Sequence, residues 1–126
     1  AKLQQVELNV SSDPDDQRIS ADAEHLELAL TNVLLNAVEA AAQEGREVEV
    51  SSATKSDAFY LFIRDNGPGL PENVEQIFSP FYSSRRGGTG LGLTVTRVII
   101  EAHRAKLEAE NRPNGGAVFK FCFKTV

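Results

Sequence analysis

The chain has 126 residues, of which 41% are hydrophobic and 25% are charged, and these values fit one globular domain rather than a disordered chain or two ordinary domains. Its formal net charge of −5 argues against a general nucleic-acid binder, which needs a basic surface. No apolar run approaches the roughly 20 residues of a membrane-spanning helix, and the first residues do not resemble a signal peptide, so we expect a cytoplasmic domain whose parent protein could carry a membrane anchor elsewhere.

The first part of the chain predicts two strands and a long helix. Alternating apolar residues indicate a strand near 6–10, and a turn then leads to a short strand at 18–20. Asp22 is the expected N-cap of a helix that ends near Glu44, with Gly45 just beyond it. Apolar residues at steps of three and four predict the core-facing side of this helix, namely Leu26, Leu30, Val33, Leu34, Ala37, Val38 and Ala41.

The middle of the chain predicts a strand pair followed by a long loop. Residues 48–53 and 59–64 read as strands and are separated by a polar turn. Residues 65–90 are punctuated by glycine and proline and show no clear period, so we expect a loop with one helical turn near 72–77.

The last part predicts one more helix and two strands. A helical pattern over 91–102 is followed by strands over 106–111 and 118–124, and Cys122 in the last strand is expected to be a buried structural thiol. Because helices and strands mix and strands are often adjacent, we expect an α+β fold, a two-layer sandwich in which a mixed sheet of about five strands carries about three helices on one face.

Two amides in the long helix form the first candidate site. Asn32 and Asn36 are four residues apart, so they lie on the same side of the helix, beside its apolar face. Amide oxygens are hard ligands that suit Mg²⁺, which also keeps waters and binds phosphates. Glu39 lies near the same side and could hold a metal-bound water. The alternative is that all three are ordinary polar residues at a helix edge.

A carboxylate and a glycine turn form the second candidate site. Asp65 follows an apolar strand and precedes Asn66, Gly67, Pro68 and Gly69. A carboxylate there could accept a hydrogen bond from an exocyclic amine such as that of adenine, and the glycines would let the backbone approach the ring. A simple turn after a strand is the alternative, because Asp-Asn-Gly is common in turns.

A second glycine cluster forms the third candidate site. Residues 87–92 read Gly-Gly-Thr-Gly-Leu-Gly and directly precede a predicted helix, whose N-terminal amides could bind phosphate. No strand precedes the cluster, as a Rossmann fingerprint requires, and no Lys-Ser/Thr pair follows it, as a P-loop requires. Arg85 and Arg86 could add positive charge beside a phosphate chain. A flexible linker with exposed arginines is the alternative.

Taken in order, these motifs resemble the catalytic ATP-binding domain of two-component sensor histidine kinases, within the GHKL superfamily that includes gyrase B, Hsp90 and MutL and shares the Bergerat ATP-binding fold. The resemblance covers nearly the whole chain, so 1–126 would be one domain. It rests on four motifs at the family's spacing, an N box at 32–40, a G1 box at 65–70, an F box at 77–82 and a G2 box at 88–93, with an ATP lid at about 78–90.

The resemblance implies ATP and Mg²⁺ as ligands and assigns roles to individual residues. Asn36 would coordinate Mg²⁺, Asp65 would bind the adenine amine, and Arg85 would stabilise the γ-phosphate. Glycines of the G1 box would shape the adenine pocket, and those of the G2 box would contact the phosphates. The implied nucleotide-contacting residues are Asn32, Asn36, Asp65, Gly67, Gly69, Arg85, Gly88, Thr89, Gly90, Leu91 and Gly92.

Three places depart from the family pattern. Ser79 stands where the F box is often acidic. Glu39 stands where many members have a basic residue near the phosphates, which weakens the case for a phosphate contact there. Arg104 and Ala105 replace the two glycines that often follow the histidine at the helix end, so we expect a differently shaped turn before the next strand.

The sequence lacks the family's phosphoacceptor. The two histidines, His25 and His103, lie in no phosphoacceptor motif, so we expect both to be structural or exposed. The resemblance therefore implies a phosphorylated histidine on a helical-hairpin dimerisation domain, upstream of Ala1 or on another chain, and a downstream response regulator. The domain alone would be monomeric and would bind ATP without efficient transfer, while the parent kinase would be a homodimer.

The leading interpretation is thus a histidine kinase catalytic domain, an ATP-dependent phosphotransferase. Hydrolytic members of the superfamily carry a water-activating Glu four residues before the metal-binding Asn. Here that residue is Asn32, a poor general base, which favours transfer over hydrolysis. Two alternatives stay open, a protein serine kinase of the anti-sigma-factor type and a catalytically degenerate module that senses nucleotide.

Overall fold

A computed structural model of the chain describes residues 7–11, 21–80 and 92–124. Within these ranges the elements are strand β1 (Glu7–Ser11), helix α1 (Ala23–Gln43), strands β2 (Glu47–Lys55) and β3 (Ala58–Asp65), a short 3₁₀ helix (Val74–Phe78), helix α2 (Gly92–Ala102), and strands β4 (Lys106–Asn111) and β5 (Ala117–Lys124). The bounds differ from the predicted ones by no more than two residues. The predicted strand at 18–20 lies outside the described residues.

The five described strands form one mixed sheet in the order β1-β2-β3-β5-β4. β1 and β2 are parallel, and the other neighbouring pairs are antiparallel. Asp65, the last residue of β3, is paired with Val48 of β2, and β5 runs along the other side of β3. The predicted α+β class with a mixed five-stranded sheet is confirmed, and Asp65 lies at the end of the central strand.

Helix α1 begins and ends close to the predicted positions. The Asp22 carboxylate caps its N-terminus by accepting a hydrogen bond from the backbone N–H of His25 (3.1 Å). The helix ends at Gln43, and Gly45 follows with a φ of +82°, which glycine adopts without strain. Neither α1 nor any other helix in the described ranges is long and apolar enough to cross a membrane.

Small residues form the innermost line of α1. The fully buried positions are four residues apart, Ala29, Val33, Ala37 and Ala41. The larger side chains flank this line and are only partly buried, namely Leu26, Leu30, Leu34 and Val38. The predicted side of the helix therefore does face the core. Its centre also includes Ala29, which was not among the predicted residues. Small side chains at the centre allow the helix to approach its neighbours closely.

Strand β5 contributes the largest buried side chains. Phe119 and Phe121 are fully buried, and Phe123 is 4% exposed. Cys122 is only half-buried, because successive side chains of a strand point to opposite faces and the three phenylalanines occupy the inner one. The prediction that Cys122 is a buried thiol is therefore wrong. It pairs across the sheet with Tyr60 of β3, on the face opposite the helices.

Candidate functional site

Asp65 is the only buried charged side chain in the ranges 21–80 and 92–124, with 1% of its surface exposed. Its Oδ1 accepts hydrogen bonds from the backbone N–H groups of Gly67 (2.9 Å) and Ala117 (3.4 Å). Burial raises the pKa of the carboxyl, and these two bonds together with the Arg112 guanidinium oppose that rise in part. Oδ2 makes no hydrogen bond to another described residue, so it keeps its acceptor capacity for a ligand.

The loop after Asp65 requires glycine at two positions for different reasons. A Cβ on Gly67 would lie 2.5 Å from the carbonyl oxygen of Ala40, so the loop packs directly on the backbone of α1. Gly69 has a φ of +90°, in the left-handed region that favours glycine, and a Cβ there would lie 2.8 Å from Asn111 Oδ1. Both predicted glycines of the adenine pocket therefore hold the shape of this loop.

Residues from the far end of the chain support the same loop. The amide of Asn111 pairs with both backbone groups of Leu70, accepting from its N–H (2.7 Å) and donating to its carbonyl (3.3 Å). Arg112 Nη1 donates to the backbone carbonyl of Asp65 (2.9 Å). The sequence carried no signal for these contacts, which span 41 and 47 residues.

A small cavity of about 60 Å³ brings two predicted site residues together. Its lining consists of Asn36, Ala40, Gln43, Asp65, Pro68, Gly69, Leu70 and Ala117. Asn36 is half-buried and makes no hydrogen bond to another described residue. The cavity therefore combines a carboxylate and an amide whose polar atoms can still bind a ligand.

Asn32 has a different environment from Asn36, although both lie on one side of α1. Its Nδ2 donates to the carbonyl of Gly92 (3.3 Å) and to Thr96 Oγ1 (3.2 Å), and Thr96 Oγ1 donates to the same carbonyl (2.6 Å). Asn32 does not line the cavity of Asp65. The structure thus shows Asn32 as a link between α1 and the first turn of α2.

The 3₁₀ helix, which contains the first two residues of the F box, packs against α2. Ile77 and Phe78 are buried, and the Phe78 ring packs edge-on against Phe119 at a centroid distance of 6.5 Å. The guanidinium of Arg97 lies over the Phe78 ring, 4.1 Å from its centroid. Its Nη1 and Nη2 donate to the two carboxylate oxygens of Glu75 at 2.8 and 3.3 Å. This hydrogen bonding lowers the pKa of Glu75. Ile77 and Phe78 of the F box therefore pack in the core, whereas Ser79 and Pro80 are exposed.

Neither histidine of the chain is arranged as a phosphoacceptor. His103 Nε2 accepts a hydrogen bond from the backbone N–H of Asp22 (2.9 Å), and Nδ1 lies 2.8 Å from the carbonyl oxygen of Ile99. Both ring nitrogens thus have partners: Nε2 joins the C-terminal end of α2 to the start of α1, and Nδ1 contacts the last turn of α2 itself. His25 is exposed and lies 3.6 Å from the Asp22 carboxylate that caps α1.

Of the remaining predicted site residues, only Gly92 and the start of the lid lie within the described ranges. Gly92 is the first residue of α2. Arg85, Gly88, Thr89, Gly90 and Leu91, with residues 81–90 of the predicted lid, lie outside the described residues. Among the residues that are described, no three His, Cys, Asp or Glu side chains cluster closely enough to hold a metal ion.

Known proteins are similar to this chain both in sequence and in fold. The sensor histidine kinase TmoS of Ectopseudomonas mendocina is 36% identical over 120 residues, which is 90% of this chain and 12% of TmoS. The nucleotide-free catalytic domain of histidine kinase ThkA is 34% identical with a TM-score of 0.81, over 94% of this chain and 78% of that one. ThkA in complex with response regulator protein TrrA is 32% identical with a TM-score of 0.80, over 96% of this chain and 34% of that one.

The match to a protein family extends over most of the chain. Residues 21–126 match the family described as histidine kinase-, DNA gyrase B-, and HSP90-like ATPase. This range contains the buried carboxylate, the glycine loop and both asparagines of α1. The chain therefore belongs to the histidine kinase-, DNA gyrase B- and HSP90-like ATPase family.

Proposed function

We propose that this domain binds Mg²⁺-ATP and presents the γ-phosphoryl group to a histidine on a separate helical-hairpin domain. The single observation that carries the proposal is Asp65, a buried carboxylate at a strand end with one oxygen bound to the backbone and one left as an acceptor. An adenine ring supplies the missing donor, because its exocyclic amine can reach an acceptor at the pocket floor.

Selectivity for adenine follows from the same carboxylate. An ionised Asp65 offers acceptors only, so it favours a ring edge with an amine and disfavours the carbonyl that guanine carries at the same position. The cavity is far smaller than the roughly 300–1,000 Å³ of whole-ligand pockets, so its described walls hold the edge of the ring rather than the entire nucleotide.

Asn36 is the proposed protein ligand of Mg²⁺. Its half-buried amide lines the cavity beside Asp65 and has no hydrogen-bond partner among the described residues. The described residues lack an acidic cluster, which fits a metal held by one amide together with waters and phosphate oxygens. When bound, Mg²⁺ neutralises charge that develops on the phosphates during transfer.

The phosphate contacts remain predictions for residues outside the described ranges. Arg85 is proposed to stabilise the γ-phosphate, and Gly88 to Leu91 are proposed to donate backbone amides to the phosphate chain. Gly92 supports this arrangement because it opens α2, so the glycine cluster runs directly into a helix N-terminus.

The partners are proposed from the relatives. The chain spans 12% of TmoS, and the phosphoacceptor hairpin is assigned to another part of the parent kinase. The engaged ring nitrogens of His103 support this assignment. A response regulator is the expected receiver, because histidine kinase ThkA, which contains a similar domain, forms a complex with response regulator protein TrrA. We further propose a cytoplasmic domain that is monomeric alone and part of a homodimeric kinase.

The test has two stages. Calorimetric titration with a non-hydrolysable ATP analogue, with and without Mg²⁺ and with GTP as competitor, should give selective, Mg²⁺-dependent binding of the adenine nucleotide. Addition of radiolabelled ATP and a helical-hairpin domain should then give acid-labile phosphate on the hairpin. A folded sample that binds no ATP analogue would refute nucleotide binding, and binding without transfer would favour a nucleotide-sensing module.

A further inference from the structure

Asn111, which ends β4, and Arg112, which follows it, hold both ends of the glycine loop 65–70, whose first residue is also the last residue of β3. Arg112 donates from Nη1 to the carbonyl of Asp65, at the first residue of the loop (2.9 Å). Asn111 pairs with the N–H and the carbonyl of Leu70, at its last residue (2.7 and 3.3 Å). Two adjacent side chains thus fix a loop that begins 47 and ends 41 residues earlier in the chain.

The β4–β5 turn is closed tightly against Asp65. The Arg112 backbone N–H donates to the carbonyl of Gly116 (2.9 Å), and a Cβ on Gly116 would overlap the carbonyl oxygen of Asp65. Ala117, the next residue, donates its N–H to Asp65 Oδ1. The carbonyl of Asp65 is therefore contacted both by the guanidinium of Arg112 and by the end of the turn at Gly116.

Arg112 is also the charged group that acts on the Asp65 carboxyl. Burial raises the pKa of Asp65, and the Arg112 guanidinium opposes that rise in addition to the larger effects of the backbone hydrogen bonds from Gly67 and Ala117. The other groups that face this carboxyl from α1, the loop, β2 and β5 carry no charge, namely Asn36, Ala40, Gln43, Gly67, Val48 and Ala117. Loss of the guanidinium would therefore leave the buried carboxylate without a counter-charge among the described residues that line its site.

We propose that Arg112 is a positioning residue for the nucleotide contact of Asp65, and that Asn111 holds the opposite end of the same loop. The inference rests on the proposed function, because it assumes that Asp65 Oδ2 accepts the adenine amine. Neither side chain touches the nucleotide in this proposal. Arg112 holds the carboxylate in place and ionised, and Asn111 fixes the loop geometry alone.

Calorimetric titration of the ATP analogue between about pH 5 and pH 8 separates the two roles. Arg112→Gln should weaken binding roughly three- to tenfold at neutral pH, and should raise the pH at which binding is half lost. Arg112→Lys keeps the positive charge and should restore the wild-type midpoint. Asn111→Ala should weaken binding without moving the midpoint, and Lys124→Ala, at an exposed strand end, should change neither.

The outcomes separate the inference from the proposed function. A folded wild-type domain that binds no ATP analogue refutes the proposed function itself. If the wild type binds, and folded Arg112→Gln has the same affinity and the same pH midpoint of binding, the inference is overturned and nucleotide binding stands. Thermal unfolding establishes that each variant is folded. If Arg112→Gln does not fold, Asn111→Ala decides, because unchanged affinity in that variant also overturns the proposal of a loop held at both ends.

Discussion

Replacing Asp65 with asparagine should abolish most nucleotide affinity while leaving the fold intact. The asparagine retains an oxygen that can accept from the N–H groups of Gly67 and Ala117, so the backbone contacts of the loop survive. It replaces the free acceptor with an NH₂ donor, which cannot pair with the adenine amine. The loss of a hydrogen bond to a charged group corresponds to about 1.5–3 kcal/mol, so affinity should fall roughly tenfold to 150-fold.

The same substitution should not destabilise the domain at neutral pH. Burial raises the pKa of Asp65 in the folded state above its unfolded value. A raised carboxyl pKa contributes stability that is present below the unfolded value and is lost as the pH rises through the folded value. At neutral pH the ionised carboxylate therefore lowers the free energy of unfolding relative to a neutral isostere. We expect Asp65→Asn to melt at or above the wild-type temperature.

Calorimetry and thermal unfolding of the same samples test both parts of this prediction. Asp57→Asn is the matched control, because it makes the same chemical change in the exposed β2–β3 turn, far from the cavity. Affinity within threefold of wild type in Asp65→Asn would refute the adenine contact. A fall in Tm of more than about 5 °C would instead show that the charge of Asp65 stabilises the fold.

Four further measurements follow from the described contacts. Asn36→Ala should lose the Mg²⁺ dependence of ATP-analogue affinity, and the metal role is wrong if titrations with and without Mg²⁺ differ as much as in wild type. Because the pKa of Asp65 is raised, affinity should fall on acidification at a pH above the usual carboxyl value of about 4, and constant affinity down to that pH would contradict this. Thr96→Val should lower the free energy of urea unfolding by about 1–2 kcal/mol, since it removes the hydroxyl that accepts from the Asn32 amide and donates to the Gly92 carbonyl, whereas Thr96→Ser should keep wild-type stability. Glu75→Gln should cost less than about 1 kcal/mol in the same assay, because its side chain is 69% exposed, and a larger loss would contradict this.

Local patterns in the sequence predicted the elements and the class of fold well. The N-cap at Asp22, the glycine beyond α1 and the alternation along β5 are encoded within a few residues of where they act. The motif at Asp65 could likewise be recognised from the sequence, because its carboxylate and two glycines lie within five residues. These features depend on chain-local geometry, so a single sequence is sufficient to indicate them.

Contacts between distant segments could not be predicted in the same way. Asn32 and Asn36 look equivalent along α1, yet one binds the start of α2 and the other lines the Asp65 cavity. Their difference depends on where α2 packs against α1, which periodicity does not specify. The contacts of Asn111 and Arg112 with the loop likewise depend on the sheet order, in which β5 joins β3 to β4.

The burial of Asp65 is itself an argument for a ligand. A carboxylate at this depth is destabilising unless its oxygens are paired, and a neutral asparagine would keep both observed backbone hydrogen bonds. The fold alone therefore gives no reason for the negative charge, since burial makes the charged form of this carboxyl less favourable. A donor that binds Oδ2 supplies that reason, and the Arg112 guanidinium opposes part of the rise in the pKa that burial causes. If Asp65→Asn proves more stable and unable to bind nucleotide, the charge serves binding at the expense of stability.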